Sequence, residues 1–145
     1  MIKMEDESNE LASRPLPRLE EMDTKYFWQE TRNKRLSYQI CENCSKVVFH
    51  PRAHCPGCLE GRLSWQASSG RGEIYSFSIV RQSYHPFFRG LIPYVVAWID
   101  IDEGFRVLSN VICSDISLAD VKIGSRVELE WEEHEQLCIP LFRLI

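Results

Sequence analysis

The 145-residue chain has no apolar run near the roughly 18 residues that a membrane-spanning helix needs. Its first thirty positions lack the basic start, apolar stretch and small-residue cleavage site of a secretory signal, so the cytoplasm is the expected compartment. It has no internal repeat and no low-complexity segment. A nucleophile elbow, a paired-histidine metal motif and a glycine-rich phosphate loop are all missing, which argues against autonomous catalysis. What the chain does have is 44% hydrophobic and 26% charged residues, the composition of a globular protein with a core, and six cysteines. A reducing compartment makes structural disulfides an unsuitable explanation for those cysteines.

The formal net charge of −4 is unevenly distributed. Residues 1–24 carry 3 basic and 7 acidic groups, residues 25–66 carry 7 and 3, and residues 67–145 carry 7 and 11. A basic middle therefore lies between two acidic ends, giving one place where phosphates are welcome.

Four of the cysteines form Cys41-Glu42-Asn43-Cys44 and Cys55-Pro56-Gly57-Cys58, two Cys-x-x-Cys knuckles ten residues apart. Each knuckle turns two thiolates toward one point, and two joined by a hairpin make a tetrahedral four-sulfur cage. Asn43 and Gly57 are the expected bearers of any left-handed backbone. Zinc in such a cage contributes on the order of 10 kcal/mol to the apparent folding free energy of a ribbon with little core of its own. Four sulfurs leave no open position for a reacting water, so the metal is expected to be structural. Iron in a rubredoxin-like site satisfies the same ligands. His54 reads as a surface neighbour of the cage, Cys113 and Cys138 as small buried hydrophobes, and His85 and His134 as solvated loop residues.

Residues 1–14 read as a flexible tail and residues 15–35 as a helical segment. Within the latter, Leu19 to Arg35 has helix-forming composition, with Glu20, Glu21 and Asp23 first and Arg32, Lys34 and Arg35 last, in the order the helix dipole favours. Tyr26, Phe27 and Trp28 are consecutive, and at about 100° per residue they cannot all face one core, so at least one ring is expected to be exposed beside the ribbon. Residues 36–66 form the ribbon. Residues 67–145 contain five candidate strands, Gly72–Arg81, Ile92–Asp102, Phe105–Ile112, Ser125–Glu132 and Cys138–Leu144. Asp102-Glu103-Gly104 reads as a solvated hairpin turn, with Asp100 beside it. The fold class is mainly β: a helical segment, a rubredoxin-like zinc ribbon and a five-stranded OB-fold barrel, with an SH3-like barrel or small sandwich as rivals. Replacing Cys55 with Ser is expected to unfold the ribbon and leave the barrel strands largely intact.

The order of these features, with Pro51-Arg52 before the second knuckle, Ser69-Gly70-Arg71-Gly72 and Pro93-Tyr94-Val95-Val96, resembles the zinc-ribbon plus OB-fold family of acyl-CoA-associated proteins often encoded beside thiolases. The resemblance covers about residues 15–145. It implies a non-catalytic, acyl-CoA-binding accessory or scaffold subunit in lipid or acyl-CoA metabolism, partnered with a thiolase-like or other acyl-CoA-processing enzyme. CoA carries a nucleotide, phosphates and a long flexible arm, so a site for it wants cations, an aromatic platform and a groove. Lys34, Arg35, Arg52 and Arg71 are the candidate phosphate contacts. Tyr26, Phe27 and Trp28 are the candidate platform or pantetheine wall. The alternative is a single-stranded nucleic-acid-binding ribbon/OB module, against which the acidic barrel segment argues.

Overall fold

The structure is a computed structural model that describes residues 13–113 and 117–145. Most of the predicted tail lies outside the described residues.

Helix α1 spans Lys25–Thr31, seven residues within the expected helical segment. Glu20, Glu21 and Asp23 precede it, and Arg32 to Lys34 close it through tight i→i−3 bonds. Lys34 then takes a left-handed φ of 57°, and the Arg35 N–H returns to the Glu30 carbonyl, a Schellman-type ending. No turn composition flags a lysine in that role, so the helix is shorter than its composition suggests. Thr31, fully buried, pins α1 to the body: its hydroxyl donates to the Trp28 carbonyl at 2.6 Å and accepts the Cys138 N–H at 3.2 Å.

The ribbon is a three-stranded sheet of β1 (Ser37–Cys41), β2 (Val47–Val48) and β3 (Leu63–Ala67), in the order β2-β1-β3. Beyond it come β4 (Arg71–Val80), the four-residue α2 (Pro86–Arg89), β5 (Tyr94–Ile101), β6 (Phe105–Ile112), a 3-10 turn at Leu118–Asp120, β7 (Arg126–Glu133) and β8 (Cys138–Leu144). These five strands close into a barrel in the order β4-β5-β6-β8-β7. All neighbours are antiparallel except β6 and β8, which run parallel and pair only at Val111 with Phe142 and Ile112 with Arg143. That connection is the OB arrangement and displaces the SH3-like and sandwich alternatives.

Alternation fills the barrel. Val95, Ala97, Ile99 and Ile101 point in from β5 while Tyr94, Val96, Trp98 and Asp100 point out. Phe142, Val127 and Ile74 add to the interior, with Phe105, Val107 and Val111. Gly72 lies where β4 meets both β5 and β7, and a Cβ there would stand 2.3 Å from the Asp100 carbonyl oxygen, so closure at this point requires glycine.

The core does not stop at the barrel wall. Tyr38 of the ribbon stacks on Phe105 of the barrel at 5.0 Å between centroids, and Phe49 stacks on the same ring at 4.8 Å. Phe27, Leu36 and Tyr38 belong to one buried cluster with the barrel residues. Aromatic pairs of this kind add about 0.5–1.5 kcal/mol each beyond their buried area. Ribbon and barrel therefore share one packed core, which argues for a single melting transition rather than a barrel that outlasts the ribbon.

Glu103 also departs from the expected solvated turn. Its carboxylate accepts the Ser68 hydroxyl at 2.7 Å and the Ser69 N–H at 2.6 Å, tying the β5–β6 hairpin to the segment that joins ribbon to barrel. Burial alone would raise its pKa, yet these donors hold it below the ordinary carboxylate value.

Candidate functional site

The chain first assembles a sulfur cage. Cys41 ends β1, Cys44 closes the first turn, and Cys55 and Cys58 lie in the second. The Sγ atoms of Cys41 and Cys58 are 3.7 Å apart, those of Cys44 and Cys55 are 3.6 Å apart, and all four lie within 4.8 Å of one another. Four sulfurs around a tetrahedral zinc at ~2.3 Å are separated by ~3.8 Å, so this donor set fits such an ion.

Amide donors face the sulfurs: Cys44 N–H to Cys41 Sγ at 3.4 Å, Gly57 N–H to Cys55 Sγ at 3.3 Å, and Asn43 Nδ2 to Cys58 Sγ at 3.5 Å. The Asn43 amide and the Glu60 backbone lower the Cys58 pKa to about 6. The backbone N–H groups of Cys58 and Gly57 outweigh burial at Cys55 and lower it as well. At Cys44 a favourable Lys46 backbone bond is overcome by burial and by the three other thiols, which raise it to about 11.

The left-handed residues of the cage are not Asn43 and Gly57. They are Ser45, at φ 62°, and Leu59, at φ 66°, one position past each knuckle. Their N–H groups return to the Cys41 and Cys55 carbonyls at 2.9 and 3.0 Å, so each turn closes after its second cysteine rather than within it. Sequence reasoning also missed Gly61. A Cβ on it would lie 2.0 Å from Cys41 Sγ and 3.1 Å from Cys58 Sγ.

A groove of about 210 Å³ runs between α1, the loop joining the knuckles and the barrel. Phe27 and Trp28 wall it on one side, Phe49, His50 and Pro51 on another, and Leu108, Ser109 and Pro140 form the barrel side. It opens where β6 and β8 separate, and across that gap the Ser109 hydroxyl donates to the Pro140 carbonyl at 2.7 Å.

The proposed ligand contacts divide around this groove. Trp28 lines it half-buried, and Phe27 lines it from within the core, edge-on to Trp28 at 4.9 Å. Tyr26 is the exposed ring, 42% accessible and 4.5 Å from Trp65 of the ribbon, as the three-neighbour argument required. Arg52 directly follows groove residue Pro51, and its backbone is held by Gln39, with bonds of 2.9 and 3.1 Å. Lys34 is paired with Glu133, and Arg35 with Glu30 at 3.2 Å. These are exposed pairs, worth little and readily exchanged. Arg71 is not brought to the groove: it begins β4, which β5 and β7 separate from β6 and β8, and it lies near Asp102. His54 is exposed and Cys138 buried, as expected. Cys113 is half-buried, and burial pushes its thiol pKa up. His85 is exposed, as expected, although its Nδ1 caps α2, whereas His134 is half-buried and contacts Glu132 at 2.6 Å.

Comparison with known proteins gives consistent matches. The family model described as "ChsH2, rubredoxin-like zinc ribbon domain" matches residues 28–64, and "ChsH2, C-terminal OB-fold domain" matches residues 65–132. The chain is 32% identical over 135 residues to a "Probable enoyl-CoA hydratase alpha subunit" of Thermomonospora curvata, covering 91% of this chain and 40% of that protein. It is 36% identical over 90 residues to a "DUF35 domain-containing scaffold protein" of Methanothermobacter thermautotrophicus, covering 61% of this chain and 65% of that one. It thus spans less than two thirds of the length of these curated relatives. Among solved structures it resembles a chain of the "Ltp2-ChsH2(DUF35) aldolase", with a TM-score of 0.77, 30% identity, and coverage of 90% of this chain and 98% of that one.

Proposed function

The chain belongs to the ChsH2 (DUF35) family of zinc-ribbon plus OB-fold proteins, and from that premise we propose that it is a non-catalytic scaffold subunit that binds acyl-CoA for a thiolase-like or related acyl-CoA enzyme. The observation that carries this reading is the groove. Its walls are aromatic and aliphatic, which suits an apolar, flexible chain. Arg52 next to the groove, with Lys34 and Arg35 in exchangeable pairs just beyond α1, supplies cations for phosphates. A relative named as a subunit of an enoyl-CoA hydratase, others named as scaffolds, and the likeness to a chain of a two-protein aldolase support the partner side of the reading.

In the same reading Cys41, Cys44, Cys55 and Cys58 hold one structural zinc. Its contribution is to fold the loop between the knuckles, and that loop carries Phe49, His50 and Pro51 into the groove wall.

Calorimetric titration of the zinc-loaded protein with acetyl-CoA and longer acyl-CoAs, alone and with the enzyme that co-purifies with it, tests the proposal. Binding that tightens with acyl length and weakens about tenfold in Trp28→Ala is expected. No heat of binding in either format overturns it.

A further inference from the structure

The outer face of the β4–β5–β6 sheet carries a column of Tyr94, Val96 and Trp98 flanked by Ser76, Ser78 and Asn110, with Trp98 and Leu108 its exposed apolar side chains. The strand register sets Trp98, 42% accessible, between Ser76 and Leu108, the latter 57% accessible. Two residues further along β5, Val96 lies between Ser78 and Asn110, and Tyr94 follows beside Val80. The column ends in the β4–β5 loop, where Tyr84 is 84% and Leu91 45% accessible. Between Glu73 and Asp100 the sequence has no carboxylate, and its two arginines, Arg81 and Arg89, are both exposed in that loop.

The loop is built to hold its shape. Pro86 opens α2, His85 Nδ1 accepts the Phe87 N–H at 3.1 Å, and Arg89 donates to the Tyr84 carbonyl at 2.9 Å. From beneath, the Arg14 guanidinium packs 4.8 Å from the Phe87 ring centroid and 5.5 Å from that of Phe88. Exposed Tyr, Trp and Arg are the side chains from which interface hot spots are made, and a loop whose backbone is already bonded in place loses less entropy on association.

We propose that this face, from Trp98 and Leu108 up to Tyr84, is where the partner enzyme subunit docks, and that the partner offers an apolar surface edged by carboxylates. The inference rests on the proposal above that such a partner exists, and adds where and through what chemistry it binds. A polyanion is disfavoured because the column itself has no cation and carries two carboxylates at its foot, Asp100 and its register neighbour Glu73. A second copy of this chain is the competing occupant, because its exposed Glu73, beside Asp100 in the strand register, is a carboxylate on the same face, and sedimentation decides between the two.

The test uses the full chain and the acyl-CoA enzyme that co-purifies with it, with affinity and rates read by surface plasmon resonance. Trp98→Ser is expected to weaken binding by about tenfold or more. Arg81→Glu should slow association several-fold, an effect that shrinks as salt rises. Tyr84→Ala, on the exposed loop, repeats the measurement should Trp98→Ser fail to fold, and zinc content with thermal midpoint verifies each variant. Wild-type affinity in folded Trp98→Ser or Tyr84→Ala overturns the docking face while the scaffold reading stands. So does sedimentation showing a homodimer that Tyr84→Ala disperses. If no acyl-CoA enzyme co-purifies, the scaffold reading fails and the docking face falls with it.

Discussion

Gly61 fixes how closely the two knuckles approach. Its missing side chain leaves the space that Cys41 Sγ occupies, because any Cβ would stand 2.0 Å from that sulfur. Gly61→Ala is therefore expected to lose most of the bound metal in a chromogenic zinc assay, with the overpacking cost of about 1–3 kcal/mol visible as a lower thermal midpoint. Wild-type metal content in the variant would count against this account. The four ligands were legible because thiolate spacing is a strong pattern. Gly61 was not, since nothing local in Glu60-Gly61-Arg62 announces a sulfur packed against it from β1. Ser45 and Leu59 were missed for a related reason: their left-handed backbone follows from closing a bond back to the first cysteine of each turn, not from their own propensities.

At the scale of elements, strand β7 is held to the segment before α1 through Glu132. Glu132 accepts from Arg14, at 2.9 Å to Nη2, and contacts His134 at 2.6 Å, while Arg14 also covers the two rings of α2. Burial of Glu132 would by itself raise its pKa, but Arg14 and His134 outweigh it and hold the carboxyl below its ordinary 4.5. A depressed carboxylate pKa stabilises the fold above the unfolded value, and that stabilisation is lost as pH falls through the folded value. The thermal midpoint of the wild type is thus expected to fall as pH drops below about 4.5, with part of that slope missing in Glu132→Gln. Equal slopes in the two proteins would refute it. The strands themselves were legible, because alternation such as Val127, Leu129 and Trp131 against Glu128 and Glu130 needs only local sequence. The latch was not, since it joins residues 118 apart in the chain.

Across the whole molecule, the ribbon contributes Tyr38 and Phe49 to the barrel's Phe105, and Glu103 binds the connection between them. Removing the metal with a chelator, or replacing Cys55 with Ser, should then lower ribbon and barrel signals together in one melting transition, followed by near- and far-ultraviolet circular dichroism. Two separate transitions would show the modules to be independent. The order of modules and the OB class could be read from strand count and turn signals. The groove could not, because α1, the loop between the knuckles, β6 and β8 each contribute only a few of its residues. Charge counting also overstated the free cations near it, since two of the four have acidic partners, one of them in β7.

One wall of that groove, Phe49 to Pro51, is part of the span between Cys44 and Cys55. Metal occupancy and groove occupancy are then two readings of the same folded loop, and thermodynamic linkage makes the effect reciprocal. Under the proposed reading, a ligand in the groove raises the affinity for the metal, and loss of the metal lowers the fraction of chains able to hold that ligand, although the ligand need not touch the ion.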